Sequence, residues 1–431
     1  MEESLRVLLI TQYWSPQRNV PQQRWRWLVE VLVGEGHDVV VLAPGGTREG
    51  ANTVKWALSR AKPEKGALGE WVYRIPHLNT GTSLSGRTAG QAVTAALQLW
   101  AMAKIKFLKE QVTPDVIIGT VPTLPTAIVT AFAGSIFSAP FIIDLRDPWP
   151  DLLEFSNRWN ESLGAPSFRE RALTGGPITI ALRLVRKALL ETYKHAAVVI
   201  VTSRALQNQL QEQLSGDEKA AETTVALVRN VFPRAVAKPK RRERPLGGDL
   251  RLLYAGTVGR AQDLRNVVEA VGMAQKAGAS IDFRILGSGV ALPAVEQLCK
   301  ERGVHASFEK KSDQVRLKEL YQWADTALVP LADWEPLRRA VPSKTYELME
   351  MEIPITAVAS GETAALVEEM AAGTTVPPKN PRVLAEHLVN CAKNVSALTG
   401  SSKAAEWITN EREVEAPSQL LQILDEIRRR N

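Results

Sequence analysis

The stretch Pro330–Pro354, PLADWEPLRRAVPSKTYELMEMEIP, decides how the chain is read. An apolar strand runs into a loop, and a helix opens near Pro342 and Ser343. A helix start presents backbone N–H groups that have no partner within the helix, an arrangement that suits phosphate. Lys344 adds positive charge, and Glu347 lies one turn further in on roughly the same face. A carboxylate beside a phosphate cradle makes sense if it accepts from hydroxyls, as on a ribose. A capped amphipathic surface helix with an ordinary glutamate accounts for the same spacing.

Working outward, the segments around this stretch alternate strand and helix. Leu250–Ala255 reads as a strand, GTVGRAQDLRN as a glycine-bearing turn and Val267–Ala277 as a helix. Ile281–Leu286 is a strand ending in Gly287-Ser288-Gly289, followed by a helix over Leu292–Arg302. Thr326–Pro330 leads into the opening stretch, Ile355–Ala359 follows it, and SGETAALVEEMAAGTTVPP gives one more helix and a glycine turn.

The first half has the same grammar. Arg6–Ile10 is a buried strand, Thr11–Arg24 a polar loop expected to line a cleft, Trp25–Gly34 a helix and His37–Leu42 a strand. That loop lacks GxGxxG and carries no dinucleotide fingerprint. Val116–Ile143 contains no charged residue and is long enough to be tested as a membrane span, but Pro122, Pro125, Pro140, Gly119 and Gly134 divide it into a buried β-α-β unit. Its last strand emerges into DLRDPWPD at 144–151. Charges where a buried strand ends are costly without a role or a partner. Either Arg146 pairs with Asp144 or Asp147 to satisfy the strand end, or these groups work on a ligand. A helix over Ile178–His195, the strand Val198–Val201 and a helix capped by Ser203 complete this half. Two α/β halves with ligand loops at strand ends imply two doubly wound, Rossmann-like domains facing across a cleft.

At 431 residues the chain exceeds a single core, and its composition, 45% hydrophobic and 23% charged, fits a globular enzyme. Cys299 and Cys391 have no second pair nearby, which points to a reducing compartment and to neither a disulfide framework nor a metal site. The five histidines show no ligand spacing, and MEESLRVLLI does not read as a signal peptide. The net charge of +6 is concentrated in RAVAKPKRRER at 234–244, which reads as a solvated linker. A second basic region runs from Lys55 to Lys109. Within it, helix-like Gln91–Lys109 mixes Trp100, Met102 and Phe107 with Lys104, Lys106 and Lys109. That pattern suits an anionic bilayer surface and a core helix with a basic edge alike.

Taken together, RVLLITQYWSP with Arg24, GTVPTLPTA, APFIIDLRDPWPD, YAGTVGRAQDL, ILGSG, VPSKTYELM and IPITAVASGE resemble, in order and over most of the chain, the GT-B glycosyltransferases of the retaining family-4 type. The resemblance is to the bacterial branch that builds surface polysaccharide on lipid-linked acceptors. It implies an N-terminal acceptor-side domain at 1–233, a linker at 234–245, a nucleotide-sugar-binding domain at 246–405, and helices at 406–431 that cross back to the first domain, about which the cleft would close. It also implies that Glu347 grips the ribose and that Pro342, Ser343 and Lys344 meet the diphosphate. Gly259 and Arg260 would belong to the phosphate turn, Gly287, Ser288 and Gly289 would border the base, and Phe308 and Lys310 would lie beyond the next strand. Asp147 and Arg146 would face the reacting sugar and acceptor, with Tyr13, Trp14, Arg24, Thr120 and Trp149 on the acceptor side.

Three departures accompany these matches. Arg339 stands at the first position of the family's E-x7-E pattern, Asn19-Val20 replaces Gly-Gly in the N-terminal loop, and Thr257 stands where relatives often have Asn. The implied reaction moves a sugar from a nucleoside diphosphate, UDP favoured, to an acceptor hydroxyl with retention. The departing phosphate takes the proton, while Arg260 and Lys344 stabilise the leaving group as catalytic residues alongside Asp147 and Arg146. No DxD motif is present, so no metal and no cofactor beyond the nucleotide sugar is expected. Expected partners are the sugar nucleotide, a glycan or lipid-linked acceptor and an anionic membrane surface, not nucleic acid. The expected location is the cytoplasm, peripheral on the inner face of the plasma membrane. A nucleotide-sugar epimerase or hydrolase of the same architecture, and a silent scaffold protein, are the competing readings.

Overall fold

A computed structural model of the protein describes residues 4–15, 20–45, 63–76, 84–107, 113–158, 177–220, 222–233, 238, 240, 248–310, 314–394, 398 and 400–430. Asn19, Lys109, most of the basic segment 234–244 and much of the region from Lys55 onward lie outside the described residues. The chain forms two compact units, one of residues 1–150, 182–233 and 414–431, the other of residues 151–181 and 234–413.

Among the described residues the first unit holds an eight-stranded sheet. Its strands are β1 (Arg6–Ile10), β2 (Asp38–Pro44), β3 (Glu64–Lys65), β4 (Trp71–Ile75), β5 (Val116–Val121), β6 (Phe141–Leu145), β7 (Val198–Val201) and β8 (Thr224–Leu227). They lie in the order β3-β4-β2-β1-β5-β6-β7-β8, parallel throughout except that β3 runs against β4. Every residue of β5, β6 and β7 is buried, as expected for parallel strands covered on both faces. Each such Val, Leu or Ile contributes roughly 1.5–3 kcal/mol on burial. Val116–Leu145 is indeed a strand, a helix and a strand, and no described helix is long and apolar enough to cross a membrane. Gly119 allows that helix to lie close, since a Cβ there would stand 1.8 Å from Thr130 Oγ1.

The helices of this half are α1 (Val20–Gly34), α2 (Leu84–Phe107), α3 (Pro125–Phe137), α4 (Pro177–Lys194) and α5 (Arg204–Ser215). Ser203 caps α5, its hydroxyl accepting from the Leu206 N–H at 3.3 Å. Two helix starts move by five residues or more. α1 begins five residues before Trp25, because proline is tolerated in a first helical turn and Gln22, Arg24 and Trp25 are then all buried by the packing around it. The polar loop therefore does not extend to Arg24. α2 begins seven residues before Gln91. The short strands β3, β4 and β8 were not apparent from periodicity.

The second unit holds a six-stranded, wholly parallel sheet of β9 (Leu250–Thr257), β10 (Ile281–Ser288), β11 (Ala306–Glu309), β12 (Thr326–Pro330), β13 (Ile355–Val358) and β14 (Gly373–Val376). Its helices are α6 (Leu264–Lys276), α7 (Leu292–Arg302), α8 (Gln314–Trp323), α9 (Ser343–Glu350), α10 (Glu362–Glu369), α11 (Pro381–Lys393) and α12 (Ser402–Asn410). A π-helical turn over Glu411–Glu415 leads to α13 (Ala416–Arg430), which groups with the first unit and packs on β8 and α1. The strand order is β11-β10-β9-β12-β13-β14. The chain moves outward from β9 in one direction, then restarts at β12 and moves in the other. In such sheets ligands bind at the carboxyl ends of the strands that flank the reversal, here β9 and β12.

Candidate functional site

The carboxyl end of β9 is shaped by its neighbours. Val258 donates its N–H to Ser288 O at 3.0 Å and accepts from the Ala291 N–H at 3.0 Å, which ties the turn to the end of β10. Gly287 and Gly289 permit this approach, because a Cβ at either would lie 2.1 Å from the carbonyl oxygen of Gly256 or Val258 respectively. Their first role is thus close packing of one strand end on another. The turn continues as a 3-10 helix over Arg260–Gln262, and the Gly259 N–H donates to Gln262 Oε1 at 3.2 Å.

Across the reversal, the loop after β12 is fastened on both sides. Ala332 N–H donates to Ala261 O at 2.8 Å, and Leu331 N–H to Val358 O at 2.9 Å. Thr363 Oγ1 donates to Ala340 O at 2.7 Å. Gly361, at φ +72°, takes a conformation L side chains rarely adopt, and a Cβ there would meet Arg338 O. The loop ends at Pro342, which stands at the N-cap of α9 without a side-chain cap. The turn bearing Gly259 and Arg260 and the start of α9 bearing Ser343 and Lys344 therefore come from the two strands that flank the switch point.

Three side chains close a ring at that place. Tyr321, on α8 and fully buried, donates from its hydroxyl to Glu347 Oε1 at 2.7 Å. Lys344 Nζ donates to Glu347 Oε2 at 2.8 Å and to Tyr321 Oη at 2.9 Å. Glu347 is only 4% exposed, so its carboxylate depends on these partners to offset the loss of water. Lys344 and Ser343 are part-exposed, Ser288 and Lys310 exposed, and Phe308 falls within β11 rather than beyond it. Arg339, at the position where the family pattern has its first glutamate, is braced by Asp151 Oδ2 at 2.9 Å and by Glu335. That position thus carries a guanidinium already matched by carboxylates. Tyr321 was missed in the sequence, since nothing in its spacing marks it.

In the first unit the motif DLRDPWPD separates into unlike parts. Asp144 and Arg24 are both fully buried, with Arg24 Nη2 2.9 Å from Asp144 Oδ1. Asp144 Oδ2 accepts from Trp25 Nε1 at 2.7 Å. Arg24 also donates to Arg229 O at 2.9 Å and Val228 O at 3.0 Å. Arg24 is therefore a tie within the core rather than a group on an open acceptor surface. Thr120 and Trp14 are also buried, the latter donating from Nε1 to Glu70 Oε1 at 3.3 Å. Tyr13 and Trp149 are part-exposed.

Arg146 makes no hydrogen bond to Asp144, which is committed elsewhere. Burial pushes its guanidinium down to about 10; Asp144 and Asp147 oppose this and Arg24 adds to it. Dense surrounding protein pushes the Asp147 carboxyl up and Arg146 pulls it back, while the side chain itself stays exposed, so water limits the shift. Among the described residues no group of three or more His, Cys, Asp or Glu side chains could hold a metal ion.

Residues 21–225 match the family model described as a glycosyl transferase 4-like domain, and residues 249–394 the model described as glycosyl transferases group 1. The chain belongs to the GT-B glycosyltransferases. Solved glycosyltransferase structures of the same fold include sucrose-phosphate synthase from Thermosynechococcus elongatus, with 15% identity, a TM-score of 0.67, and 99% of this chain and 100% of that one covered. Anabaena HepE in complex with UDP-glucose has 15% identity and a TM-score of 0.62 over 98% and 100% of the two chains. WaaG, a glycosyltransferase involved in lipopolysaccharide biosynthesis, has 12% identity and a TM-score of 0.55 over 98% and 99%. No curated protein sequence matches this glycosyltransferase.

Proposed function

We propose that this glycosyltransferase transfers a sugar from a nucleoside diphosphate to an acceptor hydroxyl, with the donor held at the switch point of the second unit. The observation that carries this reading is the Glu347–Lys344–Tyr321 ring at the start of α9, on the loop fastened to the β9 turn. Glu347 takes the ribose hydroxyls. Lys344, Arg260 and the N–H groups around Gly259 and Ser343 take the diphosphate. A UDP-sugar is favoured, in line with the UDP-glucose bound by HepE.

Transfer proceeds with retention. The bond from the anomeric carbon to the phosphate oxygen breaks, the acceptor oxygen bonds to that carbon on the same face, and its proton passes to the departing phosphate. Within the first unit, Asp147 and Arg146 are the groups assigned to the acceptor. Charge on the leaving diphosphate is balanced by Lys344 and Arg260, so the reaction needs no divalent metal.

The acceptor is a glycan or lipid-linked glycan in cell-surface polysaccharide synthesis, a role parallel to that stated for WaaG. Peripheral attachment to an anionic membrane fits α2, where Trp100 is 52% exposed one turn before Lys104. Co-sedimentation with anionic vesicles should fall when Lys104 and Lys106 are neutralised, and unchanged sedimentation would remove this role.

The donor assignment is tested by thermal shift with UDP-, GDP- and dTDP-sugars on wild type and Glu347→Ala. One nucleotide family should raise the wild-type Tm and leave the variant unmoved. Equal responses in both proteins would place the donor elsewhere.

A further inference from the structure

Arg146 stands out among the charged groups at the strand ends. Its Nε and Nη1 atoms are buried and meet no hydrogen-bond partner among the described residues, while the residue as a whole stays part-exposed. The carboxylate on its own strand cannot serve it, because Asp144 is engaged by Arg24 and Trp25. Guanidinium has five donors in a planar fork and no acceptor, so only acceptor oxygens satisfy it. Leaving such a group buried and unpaired is expensive, and a ligand that supplies the missing oxygens recovers the cost.

The neighbouring strand offers a donor of the same kind. Thr120 pairs in register with Asp144, and its buried Oγ1 likewise has no partner among the described residues. In-register residues of parallel strands share a face, and Arg146 lies two residues beyond Asp144, on that face of β6 continued. A cation and a hydroxyl donor thus stand at the carboxyl ends of the two adjacent central strands β5 and β6.

We propose that Arg146, aided by the Thr120 hydroxyl, is the receptor for an anionic group, a phosphate or carboxylate, carried by one of the substrates. The source is either the donor's diphosphate or an anionic group on the acceptor. The location rests on the reading of this strand end as a substrate surface, but the anion test needs no transfer activity.

Tm is measured on the full chain as wild type, Arg146→Met, Arg146→Lys and Glu347→Ala, with inorganic pyrophosphate or with chloride at equal ionic strength. In chloride, R146M is expected to melt at or above wild type, since a side chain with two buried, unmatched N–H groups has been replaced by an apolar one. Pyrophosphate should raise the wild-type Tm more than that of R146M, with R146K between them. E347A should keep the Arg146-dependent part of the response even if the donor assignment fails. Calorimetric titration with UDP then separates the sources. A tenfold or greater loss of affinity in R146M assigns the anion to the donor, and equal affinity, alongside the lost pyrophosphate response, assigns it to the acceptor. Equal pyrophosphate shifts in wild type and R146M, or an R146M protein that melts below wild type or fails to fold, overturn the proposal.

Discussion

The carboxyl ends of the two sheets solve the same problem differently. In the second unit three side chains complete one another: Tyr321 and Lys344 both bond Glu347, and Lys344 also bonds Tyr321. In the first unit, Asp144 and Arg146 sit two residues apart on one strand end and have opposite fates. Asp144 is matched inside the core by Arg24 and Trp25, whereas the Nε and Nη1 atoms of Arg146 have no match among the described residues. A charged motif at a strand end can therefore hold a fold-making residue beside one whose donors are left unmatched. Substitution should separate them: loss of the first costs stability, and loss of the second is expected to cost binding.

The largest expected effect is on the fold-making pair. Arg24→Ala strands the Asp144 carboxylate in the core and should cost about 3–5 kcal/mol, read as a fall in the denaturant midpoint. A loss well under 1 kcal/mol would mean that water reaches Asp144 and would blur the contrast with Arg146. Next is Glu347→Ala. A nucleotide sugar at 100 times its Kd stabilises by about 2.7 kcal/mol, and the variant should lose that increment while its unliganded Tm changes less than that of Arg24→Ala. Tyr321→Phe removes one hydroxyl from a charge-assisted ring and should weaken nucleotide binding by about 1 kcal/mol, near fivefold. An unchanged Kd would mean that the ring is structural only.

The smallest effect belongs to a group remote from both strand ends. His387 on α11 is held below the ordinary imidazole value by burial, with Thr356 Oγ1 at 3.3 Å and Cys391 Sγ at 3.4 Å. Below about pH 6.5 the unfolded chain takes up the proton before the folded one, so stability should decline as pH falls from there towards the folded value. Urea midpoints of wild type and His387→Gln between pH 7 and 5 should diverge accordingly, and parallel curves would remove His387 from the account.

Most of the fold was legible because buried parallel strands are short apolar runs bounded by turns. β1, β7 and β12 and helices α7 and α9 fall where the pattern puts them. β8 (TVAL), β11 (ASFE) and β14 (GTTV) are as long as β7 (VVIV) but interrupt the apolar run with polar residues or glycine, and β3 has only two residues, so no pattern shows. The site was legible where its parts share one helix turn, as Lys344 and Glu347 do at i and i+3. It was not where partners meet only in the folded chain. Tyr321 lies 26 residues from Glu347, and Arg24 lies 120 from Asp144. Arg24 follows a polar loop and reads as part of it, until α1 is seen to start at Val20 and turn it inward. Gly287 and Gly289 resemble ligand-contact glycines, yet the carbonyls of Gly256 and Val258 already demand them.

The most direct test is a crystal structure of the full chain with UDP or its sugar conjugate. The diphosphate is predicted to lie between the Gly259–Arg260 turn and the N–H groups at Ser343 and Lys344, with ribose hydroxyls donating to Glu347 and Lys344 drawn towards phosphate. A nucleotide bound away from the β9 and β12 strand ends, with the Glu347–Lys344–Tyr321 ring undisturbed, would contradict the donor site proposed here.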